Sequence, residues 1–435
     1  MNRKEFVKSV SLMGAASMVL PKYSFAAVKG SDKIKVAIVG MGNRGRAALM
    51  NMFDADNNVE LVAVGDAYSY PIESGKKVLE HEIKKRKADF KDYWKVGDNA
   101  FVGLDAIDKV VKTDADIVVL TTPPIFRPEH IRKCLENNKN IFAEKPICID
   151  ATQLRQVYSQ LIPLADQKKL NVVCGTQMRY QEAIAEAVKR VQDGQIGDVI
   201  SGQFIRYETK YLMNSVWRGH VEASLQPDDV DFQLKNWIGF VWPSGGQFVE
   251  QYIHNLDMAL WVFGGLPDEV IGSGGRQNDL PFPLMGNRYS NIHAQYDYAD
   301  GKTLTAACRQ ETGATGYAPF KVYGTKGILN MSFGRQVITG DKPCVIDTPK
   351  KHALVCEHKA LIDALRSGNH INTMKTCADS CYIAIAGREA AASGKRFKCR
   401  WILERSKQNL MPQKLELGGK LPIAPVPSPS TYKLV

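Results

Sequence analysis

The sequence predicts two domains of different class. The first is an α/β domain on a doubly wound parallel sheet, and the second is an α+β domain with an open, mainly antiparallel sheet. Three observations carry this reading. Short apolar strands alternate with helix-length segments up to residue 178. Beyond that point strand patterns come in pairs that meet at turn residues, as in NIHAQYDYADGKTLTAACRQ around Asp300 and Gly301. The chain also has 435 residues, more than one compact core usually organises.

The first 26 residues read as a targeting segment. A basic start, MNRKEFVK, precedes the apolar run VSLMGAASMVL and a small-x-small pattern ending at Ala26. The run is too short to span a bilayer, so no integral membrane segment is expected once the leader is removed. The start is similar to twin-arginine export signals, except that Lys4 follows Arg3 where those signals carry a second Arg. The expectation is an exported, periplasmic protein that leaves by a twin-arginine-like or general secretory route. This leader carries +3 of the formal +11 charge, and the remaining excess is scattered. The only basic run is KKRK at 84–87, which argues against a nucleic-acid partner. Nine cysteines, an odd number mostly in apolar contexts, form no disulfide framework or zinc pattern.

After the leader, IKVAIVG runs into Gly40-x-Gly42-x-x-Gly45 and then a helix. Glycines at these positions allow a tight turn, close backbone approach to a pyrophosphate and helix–strand contact, while the helix N-terminus favours the anion. Asn43 and Arg44 lie inside the same loop. A second strand, VELVAVGD, ends in Asp66, a carboxylate placed to bind both ribose hydroxyls of NAD and repel a 2′-phosphate. Arg44 softens that preference and keeps NADP open. DADIVVLTTPP, NIFAEKP and KKLNVVCGTQ follow as further buried strands. Ligands bind at the carboxyl ends of such strands. Gly42, Asp66, Thr122, Pro123, Glu144, Lys145 and Gln177 fall at those ends, and the domain reads as a dinucleotide-binding Rossmann unit over 32–178.

The stretch GQFVEQYIHNLDMALWVFGG poses a separate question. It suits a buried helix, yet it carries Glu250, His254 and Asp257 at i, i+4 and i+7, which places all three on one face of a continuous helix. Charge is buried only where it is paired or used. Glu, His and Asp are also metal-ligand types. With no second His cluster beside them, a metal is not expected.

Together these pieces resemble the Gfo/Idh/MocA oxidoreductases, the relatives of glucose–fructose oxidoreductase and inositol dehydrogenase. The matching residues are GMGNRG, Asp66, TTPPIFRPEH at 121–130, AEKPI at 143–147, GTQMRY at 175–180, the segment 245–265, VYGTKGIL and AIAGREAAASGKRF. The resemblance implies an NAD-dependent enzyme acting on a sugar hydroxyl or ketone. His254 is then the base and Lys145 the donor to the reacting oxygen. Pro146, often cis in this family, fixes the backbone that aims Lys145. Glu250 stands where relatives commonly have Asp, so it either reaches substrate or pairs with Arg179 or Lys145. Arg179, Tyr180, Asp257 and Trp237 are the candidate substrate contacts, with Asp257 alternatively holding His254 or nearby backbone.

The second domain is read over 179–350, with helices at 351–400 packing back on the first domain. The Pro-rich tail over 401–435 is either an arm across a partner or a loose end. Relatives use the open sheet face to form dimers or tetramers, so a homo-oligomer is expected. Free NAD is scarce outside the cytoplasm, so an exported enzyme must keep its cofactor and restore it each cycle. A sugar oxidoreductase with tightly held NAD is the first reading. A redox-neutral NAD-dependent glycoside hydrolase, and a non-catalytic sugar- or nucleotide-binding protein, are the alternatives.

Overall fold

The computed structural model describes residues 32–211, 224–332, 334–347 and 352–435. The leader over 1–26 and Trp217 lie outside the described residues.

The first sheet has six parallel strands, β1 (Ile34–Val39), β2 (Val59–Asp66), β3 (Ala100–Val102), β4 (Ile117–Leu120), β5 (Asn140–Ala143) and β6 (Val172–Cys174). Their order is β3-β2-β1-β4-β5-β6. The chain reverses its direction of winding between β1 and β4, which opens a crevice at the carboxyl ends of those strands. Strand β4 is a continuous apolar run, and β1 is one broken only by Lys35, because both faces of the sheet are covered. β3, only AFV, carries no apolar run of readable length. Helices α1 (Asn43–Ala55), α2 (Ser69–Lys85) and α3 (Arg127–Glu136) lie on this sheet.

Helix α4 (Glu182–Gln192) leads into the second domain. Its sheet has nine strands, β7 (Val199–Glu208), β8 (Glu269–Gly275), β9 (Asn291–Asp297), β10 (Thr303–Gln310), β11 (Phe320–Gly324), β12 (Gly327–Met331), β13 (Gln336–Gly340), β14 (Cys344–Ile346) and β15 (Phe397–Lys398). All neighbours are antiparallel except β7 and β10, which run parallel. The β9–β10 hairpin turns at Gly301, whose φ of +88° suits glycine. The helices between β7 and β8 include α5 (Val230–Lys235), α6 (Gln247–Glu250) and α7 (Ile253–Phe263).

Two helices follow the second sheet, and they do different things. Helix α8 (Ala353–Ser367) packs on α1 and β6 of the first domain, as expected. Helix α9 (Met374–Ser393) instead lies mainly against β8, β9 and α7 of the second domain, and touches β6 as well. It is buried on nearly every side because it sits between the domains, so it shows no amphipathic pattern to read. One apolar cluster runs through it, from Val39 and Val118 by way of Ile383 to Phe204 and Leu304. The two domains therefore share a core. All nine cysteines are free thiols, and seven are buried.

The tail is extended but is neither loose nor free to serve as an arm. Tyr432 Oη donates to Glu389 at 2.7 Å, Asn287 donates to Ala424 O at 3.0 Å, and Ser406 Oγ donates to Val435 O at 2.7 Å. Its backbone polar groups are satisfied by this chain's own domains.

Gly387, in the middle of α9, is where the bridge meets the second sheet most closely. A Cβ there would lie 2.2 Å from Tyr296 Oη and 2.5 Å from Phe248 Cε1. Gly387→Ala is expected to lower stability by about 2 kcal/mol through overpacking. A thermal melt checks this, and an unchanged midpoint would count against a tightly closed seam.

Candidate active site

The glycine loop is built in three different ways. Gly40 has φ +99°, and a Cβ on it would sit 2.8 Å from Thr121 C and Thr122 N. Gly45 leaves no room either, since its Cβ would lie 2.0 Å from Gly40 O. Thr121 Oγ1 ties the two strands by donating to Gly40 O at 2.5 Å. Gly42 differs from both, with nothing within 4 Å of its Cβ position. It is also the N-cap of α1, where no side chain caps the helix and no acid occupies the first turn. The backbone donors of that turn thus face a space kept open by a missing side chain, which is what a pyrophosphate requires. Asp66 sits beside the loop, accepting from Met41 N at 2.7 Å and Tyr68 N at 3.1 Å. Burial raises its pKa above the ordinary carboxylate value, against the pull of those backbone donors. These residues fit a dinucleotide.

Arg44 corrects one expectation. Its Nε donates to Glu144 Oε1 and its Nη2 lies 3.5 Å from Glu357 Oε1. The guanidinium is thus turned along the crevice toward β5, and no contact places it where it would offset Asp66 toward a 2′-phosphate. Asn43, at the start of α1, accepts from Arg46.

A cavity of ≈ 330 Å³ opens at the crevice, lined by Arg44, Thr122, Glu144, Lys145, Gln177, Trp237, Glu250 and His254 among others. Pro124, rather than Pro123, completes the wall below Thr122. The Lys145–Pro146 bond is cis. Lys145 Nζ reaches across the domain seam to Glu250, donating to its carbonyl oxygen and, at 2.9 Å, to its Oε1. Of the options left open for Glu250, the structure places it on Lys145.

The helical segment is not continuous. It breaks at Gln251 and Tyr252 between α6 and α7. Glu250 and His254 both reach the cavity, whereas Asp257, one turn past His254 on α7, does not line it. It is 2 % exposed and is held by Arg179 in a two-pronged pair, Nε at 3.0 Å and Nη2 at 2.9 Å, with Ser380 Oγ donating at 2.8 Å. Arg179 and Asp257 are therefore engaged with each other behind the cleft, and neither lines the cavity. Tyr180 packs against the apolar cluster under α8. Of the candidate substrate contacts, Trp237 alone lines it. Glu250 and Asp257 point to different partners, so the Glu-His-Asp set is not gathered on one ion. Among the described residues no group of three or more His, Cys, Asp or Glu is arranged to hold a metal.

Burial, then the nearby cations Lys145, Arg206 and Arg44, hold the His254 pKa well below its ordinary 6.5. The imidazole is neutral at neutral pH and able to accept a proton.

Several residues escaped the sequence reading. Arg127, 2 % exposed, donates from Nη1 to Pro146 O at 2.5 Å and from Nη2 to Thr122 O. It clips the β4 loop to the backbone that carries Lys145. Glu357 and His358, from α8, are fully buried behind Glu144. Burial and then Glu144 push the Glu357 carboxyl well above the usual range. His358 stacks on Phe142 with ring centres 3.8 Å apart. A buried Arg at the start of a helix, next to a Pro-rich loop, was the one local signal for Arg127.

Sequence models of two domains match the chain. One is described as an oxidoreductase family with an NAD-binding Rossmann fold, over residues 34–176, and the other as a GFO/IDH/MocA C-terminal domain, over residues 184–330. The chain belongs to the Gfo/Idh/MocA oxidoreductase family. It is an NAD-dependent oxidoreductase with a Rossmann domain and a mainly antiparallel second domain. It is similar to scyllo-inositol 2-dehydrogenase (NAD(+)) of Bacillus subtilis, 23% identical over 68% of this chain and 73% of the relative. A 2,7-anhydro-N-acetylneuraminate hydratase of Escherichia coli is 23% identical over 63% of this chain and 66% of the relative. The crystal structure of scyllo-inositol dehydrogenase from Lactobacillus casei, with bound NAD(H) and scyllo-inositol, superposes with a TM-score of 0.62. It covers 85% of this chain and 99% of that one at 19% identity.

The glycine loop generates a contrast. Gly42→Ala fits the free protein, so the melting temperature without nucleotide is expected to hold. The added methyl enters the pyrophosphate space, and NADH affinity is expected to fall at least about tenfold, a loss near 1.4 kcal/mol. Gly45→Ala should lower both. NADH fluorescence titration beside a thermal melt separates the two, and normal NADH binding by Gly42→Ala would rule out this placement.

Proposed function

We propose that the protein interconverts a secondary hydroxyl and a ketone on a neutral sugar or cyclic polyol, keeping NAD bound through turnover and returning the hydride taken from one substrate to the carbonyl of a second. The observation that carries this is the meeting of Lys145, from the sheet edge, with His254, from a distant helix, in one cavity beside Thr122, Glu144 and Gln177. When bound, the nicotinamide accepts and returns the hydride. The chain's own residues handle the proton and the charge. His254 takes the hydroxyl proton as oxidation proceeds. Lys145 donates to the oxygen from which the proton leaves and stabilises its alkoxide character. Glu250 holds the ammonium in place. Trp237 offers an apolar wall to a ring face.

Charge balance supports a neutral substrate. Lys145 is matched by Glu250, Arg44 by Glu144, and Arg206 by Glu208 at 2.7 Å. An anionic substrate that took Lys145 or Arg44 would leave the buried Glu250 or Glu144 uncompensated, at about 3–5 kcal/mol, and Arg127, which also lines the cavity, gives its guanidinium to the Pro146 and Thr122 carbonyls. The inositol dehydrogenase relatives favour the same class. Asp66, with Arg44 turned away, favours NAD over NADP. The basic and apolar leader supports export, and fractionation of cells producing the full chain tests it. We also propose self-association through the open sheet, to be tested by sedimentation.

Two measurements test the activity. The as-isolated protein, screened with cyclitols and mono- and disaccharides, is expected to develop reduced-nicotinamide absorbance. Release of p-nitrophenol from aryl glycosides without added acceptor would instead select the redox-neutral hydrolase. Lys145→Met and His254→Asn are each expected to cut turnover by about 10²–10⁴ while nucleotide stays bound. Full activity in either would remove that residue from the chemistry.

The pH profile gives a further check. A base whose pKa is lowered stays competent as pH falls, and activity drops only as pH passes down through that lowered pKa. Arg206→Gln removes a cation that lowers the His254 pKa, so the acid limb of kcat/KM is expected to move to higher pH. An unmoved limb, or one displaced to lower pH, contradicts His254 as the base.

A further inference from the structure

The adenosine side of the crevice carries a contact that the chemistry above does not use. Tyr68 follows Asp66 by two residues, and its backbone N–H donates to the Asp66 carboxylate at 3.1 Å. It therefore borders the ribose end of the nucleotide site. Its side chain does not stay with the first domain. Tyr68 Oη donates to Asp231 Oδ1 at 2.6 Å, and Lys235 Nζ lies 5.1 Å from the centre of its ring. Both partners belong to α5, which leads on to Trp237 in the cavity wall.

Helix α5 is too short to hold a position alone. The C-terminal tail fixes it. Gly418 N donates to the second oxygen of Asp231 at 2.7 Å, and Val230 N donates to Gly419 O at 3.0 Å. Leu421 N donates to Asp228 O at 2.7 Å, and Gln233 Nε2 to Leu421 O at 2.7 Å. Lys420 Nζ pairs with Asp229 at 2.7 Å and Asp228 at 2.9 Å. Asp231 thus joins the tail on one oxygen to the nucleotide-binding domain on the other.

We infer that α5 and residues 418–421 form a clasp over the adenosine side of the cleft, closed by the Tyr68–Asp231 hydrogen bond, and that this clasp sets how long the dinucleotide stays bound. Tyr68 and Asp231 are positioning residues. They act by holding the second domain down over the ribose end, so that the nucleotide leaves only when the clasp opens. The inference rests on the cleft holding a dinucleotide, and wild-type binding of NADH tests that part separately.

The test uses the full chain, with NADH fluorescence for dissociation and with ADP-ribose and nicotinamide mononucleotide as half-ligand probes. Tyr68→Phe removes only the hydroxyl, and Asp231→Asn keeps the shape while removing the charge. Each is expected to raise the NADH dissociation rate and the ADP-ribose Kd about tenfold, the size of a lost hydrogen bond to a charged group. Nicotinamide mononucleotide affinity and the single-turnover rate are expected to hold. Asn at 231 keeps one acceptor oxygen and so serves only one of Tyr68 Oη and Gly418 N, and the double variant is expected to release NADH at least as fast as either single one. Lys420→Ala, at an exposed position whose ion pairs go to Asp228 and Asp229, should raise the NADH dissociation rate in the same direction through α5. Unchanged NADH dissociation in both Tyr68→Phe and Asp231→Asn overturns the clasp, even if the nucleotide-free protein melts lower. Equal weakening of both half-ligands overturns it too, and a silent Lys420→Ala removes the tail from it. A wild-type protein that binds neither NADH nor ADP-ribose overturns the nucleotide reading itself.

Discussion

The active cavity depends on one bond across the domain seam, from Lys145 Nζ to Glu250. Its backbone half exists because α6 stops at Glu250. In a continuous helix the Glu250 carbonyl would take the N–H of His254. The break at 251–252 leaves that oxygen to the ammonium and lets Glu250 turn its carboxylate to the same nitrogen. Removing a charge pair from water is costly and is offset only by close geometry with further hydrogen bonds. Lys145 has both. Its approach is fixed from behind by Arg127, which binds Pro146 O and the Thr122 carbonyl at once.

The same bond explains what the sequence could and could not reveal. The glycine loop, Asp66 and the Glu144–Lys145 edge were legible because each answers a local backbone demand, such as a turn, an uncapped helix start or a strand end. The phase of the 247–263 segment was not legible. Its apolar pattern runs through Gln251 and Tyr252 without interruption, so equal spacing placed Asp257 beside His254. Asp257 keeps its spacing to His254 within α7, but one turn further along the helix it meets Arg179 and Ser380 rather than the cavity. Arg127, Arg206 and Glu357 come to the cleft from three separate parts of the chain. Each looks locally like an ordinary charged residue of a helix or strand, and tertiary packing buries Arg127 and Glu357 and partly covers Arg206. The tail reads as extended in sequence, and it is extended. The surface it lies on is set by contacts with residues nearly two hundred positions away, such as Asp231 with Gly418.

His254 is kept neutral chiefly by burial, with Lys145, Arg206 and Arg44 adding to it. The same cations are matched by Glu250, Glu208 and Glu144. This arrangement avoids an excess positive field while preserving the sign of the effect on the imidazole. The imidazole has to cycle between neutral and protonated forms, because reduction of the ketone has to return the proton.

The two domains meet over the crevice at two polar points. Lys145 with Glu250 lies at the catalytic end, and Tyr68 with Asp231 lies at the ribose end. Between them the shared apolar cluster through α9 makes the seam one core rather than two surfaces in contact. Opening the crevice by a hinge at either end would strain the bond at the other. A long ligand lying along the crevice is then enclosed at both ends, and a small one near the cavity is enclosed at one. Exchange of a substrate past a retained dinucleotide follows from that asymmetry. The cavity admits the small molecule near Trp237 while the ribose end stays shut, so the fold separates the lifetimes of its two ligands.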